Sequence, residues 1–283
     1  MPRLQAFSSP EADGSAKKLE RLGIVSYTNV APLHWQLSPW QGVDFVRGVP
    51  TELNRQLLEN HIDVTLISSY EFLRHRHILR ALPDFSIATL GPVYSVMLFH
   101  WRPWSQLSGA RIALTTDSAT SVQLLKTLLQ GDGIAAEFVP MHPDLEQMMH
   151  SCDAALLIGD TALREAVARR SLAGKRPLLT DLGEMWYQQT RLPFTFAVWA
   201  SHKDKPPSDL LVAKLRAARE HGLGRLAEVA AAEAERLELS PSVVQRYLNN
   251  FRYYLEPPDR DGLLAFATRV TPEQQETLTF WDM

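Results

Sequence analysis

Five side-chain hydroxyls fall within seven positions of the chain: Thr115, Thr116, Ser118, Thr120 and Ser121. A short apolar run, residues 112–114, leads into them. A helical pattern over about residues 118–130 follows and is stopped by Gly131 and Gly133. Chemically, such a cluster can hold an anion. The free N–H groups and the positive dipole end of a helix point at the spot where the hydroxyls gather. No glycine-rich phosphate loop is present, so a carboxylate fits better than a nucleotide phosphate. The same stretch also reads as an ordinary helix start with Ser118 or Asp117 as N-cap.

The usual catalytic signatures are absent. There is no GxSxG, no HExxH and no Walker sequence. His75 and His77 lie two apart on an expected helix and face different ways, and His34, His142 and His150 have no ligand spacing, so no metal site is expected. The single cysteine, Cys152, excludes an intrachain disulfide and reads as a packed thiol.

The elements that must position the hydroxyls form a pattern used twice. Strands are expected at residues 22–26, 43–46 and 64–67, with helices opening at Pro32, at Pro50 and around Tyr70. Strands at 110–114, 137–139 and 154–158, with helices between and after them, repeat that order about 90 residues on. The clearest echo is DVTLISSYEFL against DAALLIGDTAL. Two β-α-β-α-β units imply an α/β protein with parallel sheets. Right-handed crossovers then place all strand C-termini on one side, where ligands bind. Geometry thus nominates four loops: SYTN (26–29), Ser68-Ser69, TTDSATS (115–121) and Gly159-Asp160. Their polar groups, with Ser95, are mostly neutral: Asn29, Ser68, Ser69, Ser118, Thr120 and Ser121 suit a small anionic ligand. Asp160 is the one carboxylate that stands out, as general base, donor-orienting residue or N-cap of its helix.

Two longer apolar, aromatic-rich strands, residues 91–100 (GPVYSVMLFH) and 192–201 (LPFTFAVWAS), read as paired crossovers between two lobes. The first lobe is then discontinuous, residues 20–98 and 198–283, and the second continuous, residues 99–197, after a disordered tail of residues 1–19. Helices over 210–238, after Ser240-Pro241 and over about 261–269 are expected to pack on the first lobe and to carry little chemistry.

With 283 residues, 45% of them apolar and 22% charged, the chain reads as a globular protein of two domains. A net charge of −3 and a pI near 6.3 argue against a nucleic-acid surface. The polar start is neither signal peptide nor anchor, and the longest uncharged run, 85–101, falls short of a membrane span. A cytoplasmic location is the default expectation, and the oligomeric state is not readable.

Taken together, SYTN, GPVYSV, DSATSVQLL, LLIGDTAL and DLGEMWYQQTRLPFTFAVWA resemble the chorismate dehydratase family of the futalosine route to menaquinone, over about residues 20–283. The resemblance implies a type II periplasmic-binding-protein-like fold with a central cleft. It implies conversion of chorismate to 3-[(1-carboxyvinyl)oxy]benzoate with loss of water, and no cofactor. It further implies that Asn29 acts at the enolpyruvyl side or reacting centre. Ser118, Thr120 and Ser121 would hold a substrate carboxylate, with Ser68, Ser95 and Asp160 beside the substrate. An amide is no base at neutral pH, so the substrate's own carboxylate is a candidate base. The rivals are the later naphthoate synthase of the same route and a non-catalytic carboxylate-binding protein.

Overall fold

A computed structural model describes residues 19–274 and 277–282 of the chain; the tail expected over residues 1–19 lies, apart from Leu19, outside them. The first unit comprises β1 (Glu20–Val25), α1 (Ala31–His34), β2 (Val43–Gly48), α2 (Pro50–Leu58), β3 (Val64–Ser68) and α3 (Ser69–Arg74), with a 3-10 turn at Thr28–Val30. After β4 (Leu79–Thr89) and β5 (Val96–His100), the second unit runs through β6 (Arg111–Thr115), α4 (Ala119–Gly131), β7 (Glu137–Met141), α5 (Leu145–Ser151), β8 (Ala154–Ile158) and α6 (Gly159–Ala168). Then come β9 (Leu178–Asp181), α7 (Leu182–Thr190) and β10 (Phe194–His202). The chain closes with α8 (Asp209–Gly224), α9 (Leu226–Leu237), α10 (Pro241–Asn249), β11 (Phe251–Arg252) and α11 (Pro257–Val270).

Each unit contributes a parallel trio, β2-β1-β3 and β7-β6-β8, as the repeat requires. The sheets are nevertheless mixed. Their orders are β11-β4-β10-β3-β1-β2 and β7-β6-β8-β5-β9, and β10 and β5 run antiparallel to their neighbours. The two aromatic strands therefore do not pair with each other: β10 lies between β4 and β3, and β5 between β8 and β9. Their long apolar runs mark interior strands covered on both faces rather than an exposed ribbon. All five residues of β5 are buried. The chain changes sheet within residues 90–95 and 191–193, so divisions at 98/99 and 197/198 would cut through β5 and β10.

Alternation along the strands gives the second sheet two cores. Leu98, Ile112, Leu114 and Leu156 face the main core, while Met97, Phe99, Ala113 and Leu157 face a smaller one with Met148 and the buried Cys152. Asp181 ties the first crossing to the start of α7. Its carboxylate accepts from the backbone N–H of Val93 (3.0 Å), Tyr94 (2.7 Å), Gly183 (2.9 Å) and Glu184 (3.2 Å). Burial still holds its carboxyl above the usual carboxylate range, against the pull of those four donors. Among the described residues no helix is long and apolar enough to cross a membrane.

Candidate active site

The parallel strands of both sheets end on one cavity of about 590 Å³, its open mouth included. All four nominated loops reach it, through Tyr27 and Asn29, Ser68, Ser118 and Ser121, and Gly159. The first crossing adds Ser95, and β10 adds Phe196 and Ala197. Val25, Leu66, Ile87 and Ile158 supply apolar walls. No charged side chain is among the described residues that line the cavity.

Asn29 sits in the 3-10 turn that follows β1. Its Oδ1 is buried and has no hydrogen-bond partner. An unpaired amide oxygen out of water costs about 1–3 kcal/mol, so a ligand that donates to it recovers that energy. Ser68 ends β3 and starts α3 without a side-chain cap bond. Its Oγ accepts from Nδ2 of Asn54 at 3.1 Å, which leaves the hydroxyl proton for a ligand. Ser95 Oγ accepts from the Tyr247 hydroxyl at 2.9 Å, and the Ser95 carbonyl accepts from the Gly159 N–H at 2.7 Å. Tyr247 is wholly buried and its phenol is pushed upward by that burial, so it stays a donor.

The hydroxyl cluster is both cap and site. Ser118 Oγ caps α4 by accepting from the Ser121 N–H at 3.1 Å and donates to Ser121 Oγ at 3.1 Å. The Ser121 proton is thereby left free, and the N–H groups of Ala119 and Thr120 open the helix with no intrahelical acceptor. Thr120 does not line the cavity. It is buried, and its Oγ1 accepts from the Tyr70 N–H at 2.9 Å, joining the start of α4 to the start of α3 across the cleft.

Asp160 is a second departure. It is not the N-cap of α6, a position held by Ile158, and it does not line the cavity. Its Oδ1 accepts from the Thr28 N–H at 3.1 Å and its Oδ2 from Arg236 Nη2 at 2.7 Å. Both oxygens are thus engaged by protein donors. Gly159 beside it has a positive φ of 59°, and an added Cβ would lie 3.3 Å from the Tyr27 ring. Burial, then the charges of Asp117 and Asp160, push the Tyr27 phenol upward, so it too faces the cavity as a protonated donor.

The C-terminal helices carry more than packing. Tyr247 of α10 sets Ser95, and Glu233 and Arg236 of α9 reach the SYTN loop. These residues, with Asn54, were not recoverable from local spacing, because each sits on an amphipathic helix whose pattern reports only burial.

A profile of the menaquinone biosynthesis family matches residues 20–272. A chorismate dehydratase of Thermus thermophilus is 48% identical over 256 residues, covering 87% of this chain and 93% of the relative. One from Campylobacter jejuni is 29% identical over 182 residues, 62% and 64% of the two chains. Among solved structures, a protein of Archaeoglobus fulgidus superimposes with a TM-score of 0.70 at 19% identity, over 92% of this chain and 98% of that one. The periplasmic aliphatic sulphonate binding protein of Escherichia coli gives 0.62 at 14%, over 95% and 96%. At such identities the likeness establishes the fold, that of the periplasmic binding proteins.

Proposed function

The chain belongs to the menaquinone biosynthesis family, and from that premise we propose that it is an enzyme acting on chorismate, a hydro-lyase that forms 3-[(1-carboxyvinyl)oxy]benzoate and water. The ring carbon bearing the enolpyruvyl ether loses a proton. Its electron pair becomes the new double bond, and the adjacent carbon loses hydroxide. The ring becomes aromatic, so much of the driving force lies in the substrate. What the protein must supply is orientation and exclusion of water.

The observation that carries this reading is the buried, unpartnered Oδ1 of Asn29 in a cavity whose other polar side chains are neutral hydroxyls. Asn29 is assigned to orient the reacting centre. Ser121, oriented by Ser118, and the opening N–H groups of α4 are assigned to one substrate carboxylate, and Ser68 and Ser95 to the remaining oxygens. A cavity lined by no cation disfavours a bare carboxylate and raises its proton affinity. That supports the substrate's own enolpyruvyl carboxylate as the base.

Incubation with chorismate, followed by NMR, tests the reading. The expected result is an aromatic product with loss of the ring-diene signals. Chorismate recovered unchanged but bound indicates a binding protein. Chorismate ignored, with cyclic de-hypoxanthine futalosine consumed, indicates the naphthoate synthase. Either overturns the proposal.

Asn54 offers a narrower check. Asn54→Ala removes the donor that holds Ser68 and leaves a buried hydroxyl less satisfied. We expect KM to rise about tenfold with a smaller change in kcat, and stability to fall by about 1–3 kcal/mol. Steady-state kinetics beside a thermal melt measure both; an unchanged KM would detach Ser68 from binding.

A further inference from the structure

Two carboxylates and one guanidinium outside the cavity converge on the residue before Asn29. Thr28 is fully buried. Its N–H donates to Asp160 Oδ1 at 3.1 Å, and its Oγ1 donates to Glu233 Oε2 at 2.9 Å. Arg236 Nη2 lies 2.6 Å from Thr28 Oγ1, 2.7 Å from Asp160 Oδ2 and 2.6 Å from Glu233 Oε2. Arg236 Nε adds a bond to Glu233 Oε2 at 3.0 Å. Three segments meet here: the loop after β1 of the first sheet, the start of α6 after β8 of the second sheet, and α9.

We propose that Asp160, Glu233 and Arg236 are positioning residues, a clasp that closes the two lobes over the cavity and holds Thr28 so that the neighbouring Asn29 meets the substrate. The proposal rests on the role given to Asn29 above. The placement argues for it over simple surface pairing. Among the described residues, only 90–95 and 191–193 carry the chain between the sheets, so a side-chain bridge beside the cavity acts directly on cleft width. The Arg236 side chain is 47% exposed, so its charge pairs are screened and add little to global stability. Asp160 and Glu233 are only 13% and 17% exposed, and every oxygen of theirs used here points at Thr28 or at Arg236. The clasp therefore spends its bonds on one loop. A reacting geometry displaced by about 1 Å loses on the order of a hundredfold in rate, which makes that loop an effective place to spend them.

The test has one readout that needs no substrate. In hydrogen exchange followed by mass spectrometry on the full chain, Arg236→Ala and Asp160→Ala are expected to speed exchange across residues 26–30 at least tenfold, while residues 64–68 of β3 stay as protected as before. In kinetics with chorismate, each variant is expected to lose on the order of ten- to a hundredfold in kcat/KM. The double variant should lose no more than the worse single one, because parts of one unit fail together. Arg236→Lys, which keeps the charge without the planar fork, should fall between wild type and Arg236→Ala. Unchanged exchange over 26–30, or losses that multiply in the double variant, would overturn the clasp. If the alanine variants do not fold, Arg236→Lys and Asp160→Asn carry the same two measurements. A wild-type chain that leaves chorismate untouched would sink the assigned reaction instead, and the exchange result would still decide the clasp.

Discussion

Asn29→Ala loses about 10²–10³-fold in kcat, the scale for removing one preorganised hydrogen-bonding group at a reacting centre. Its thermal midpoint stays at or slightly above that of the wild type. The two halves of this result have one cause. The Asn29 Oδ1 is buried without a partner in the free protein, so the amide is held in a state that costs stability. Deleting it removes both the cost and the group that the substrate engages. A residue that merely packed would show the opposite pairing, with stability lost and activity spared. Asn29→Asp is a sharper companion. It keeps the shape but sets a negative charge beside a substrate carboxylate, and binding should weaken along with turnover. A stopped-time assay of aromatic product and a thermal melt on the same preparations suffice. Activity within tenfold of wild type in Asn29→Ala would remove this residue from the mechanism.

Gly222→Ala is expected to destabilise the fold by about 2–3 kcal/mol, the upper part of the range for overpacking a tight contact. Alanine in place of glycine inside a helix normally stabilises by about 0.5–1 kcal/mol. Here the sign reverses. An added Cβ at Gly222 of α8 would sit 2.1 Å from the Pro32 carbonyl oxygen of α1, and neither backbone can yield without moving its helix. Helix α1 continues directly from the turn that carries Asn29, so the displacement reaches the cavity and activity should fall with stability. The control lies two residues on. Gly224, in the same helix, has open space where its Cβ would be, and Gly224→Ala should leave the midpoint unchanged or raise it. For a chain of this size each kcal/mol corresponds to roughly 2–4 °C, which separates the two variants in a single melting experiment. Equal midpoints would show that the α1–α8 contact yields without cost.

Much of this arrangement was legible in the sequence, for identifiable reasons. The doubled unit fixed which loops lie at strand C-termini, and those loops do meet at the cavity. The neutral character of the lining was readable too, since Asn29, Ser68, Ser95, Ser118 and Ser121 all reach it. What failed was rotation about a helix axis. Ser118 and Ser121 are three apart and share a face, whereas Thr120 is turned away by the 100° step of the helix and bonds Tyr70 instead. Asp160 failed similarly: its place at a helix start suggested a cap, but its carboxylate turns toward Thr28. Strand β4 carries Pro83 and Asp84 midway, which breaks the apolar alternation a strand should show. Tyr247 lies 152 residues along the chain from Ser95, Glu233 and Arg236 lie 205 and 208 from Thr28, and Arg236 lies 76 from Asp160; no local pattern encodes such pairings.

The uncharged lining of the cavity bears on how a dianion arrives. With no cation among the described residues that line the cavity and a formal charge of −3 on the chain, no charged group of the lining draws an anion inward from a distance. Encounter then proceeds without electrostatic steering and is nearly flat in ionic strength. The same lining discriminates among anions by hydration. A small, fully hydrated ion such as phosphate must give up its water for a few hydroxyls and helix N–H groups, and gains little in return. An anion with a hydrocarbon ring fills the apolar walls as well. Selectivity among the many anions of a cell thus comes from the part of the ligand that carries no charge.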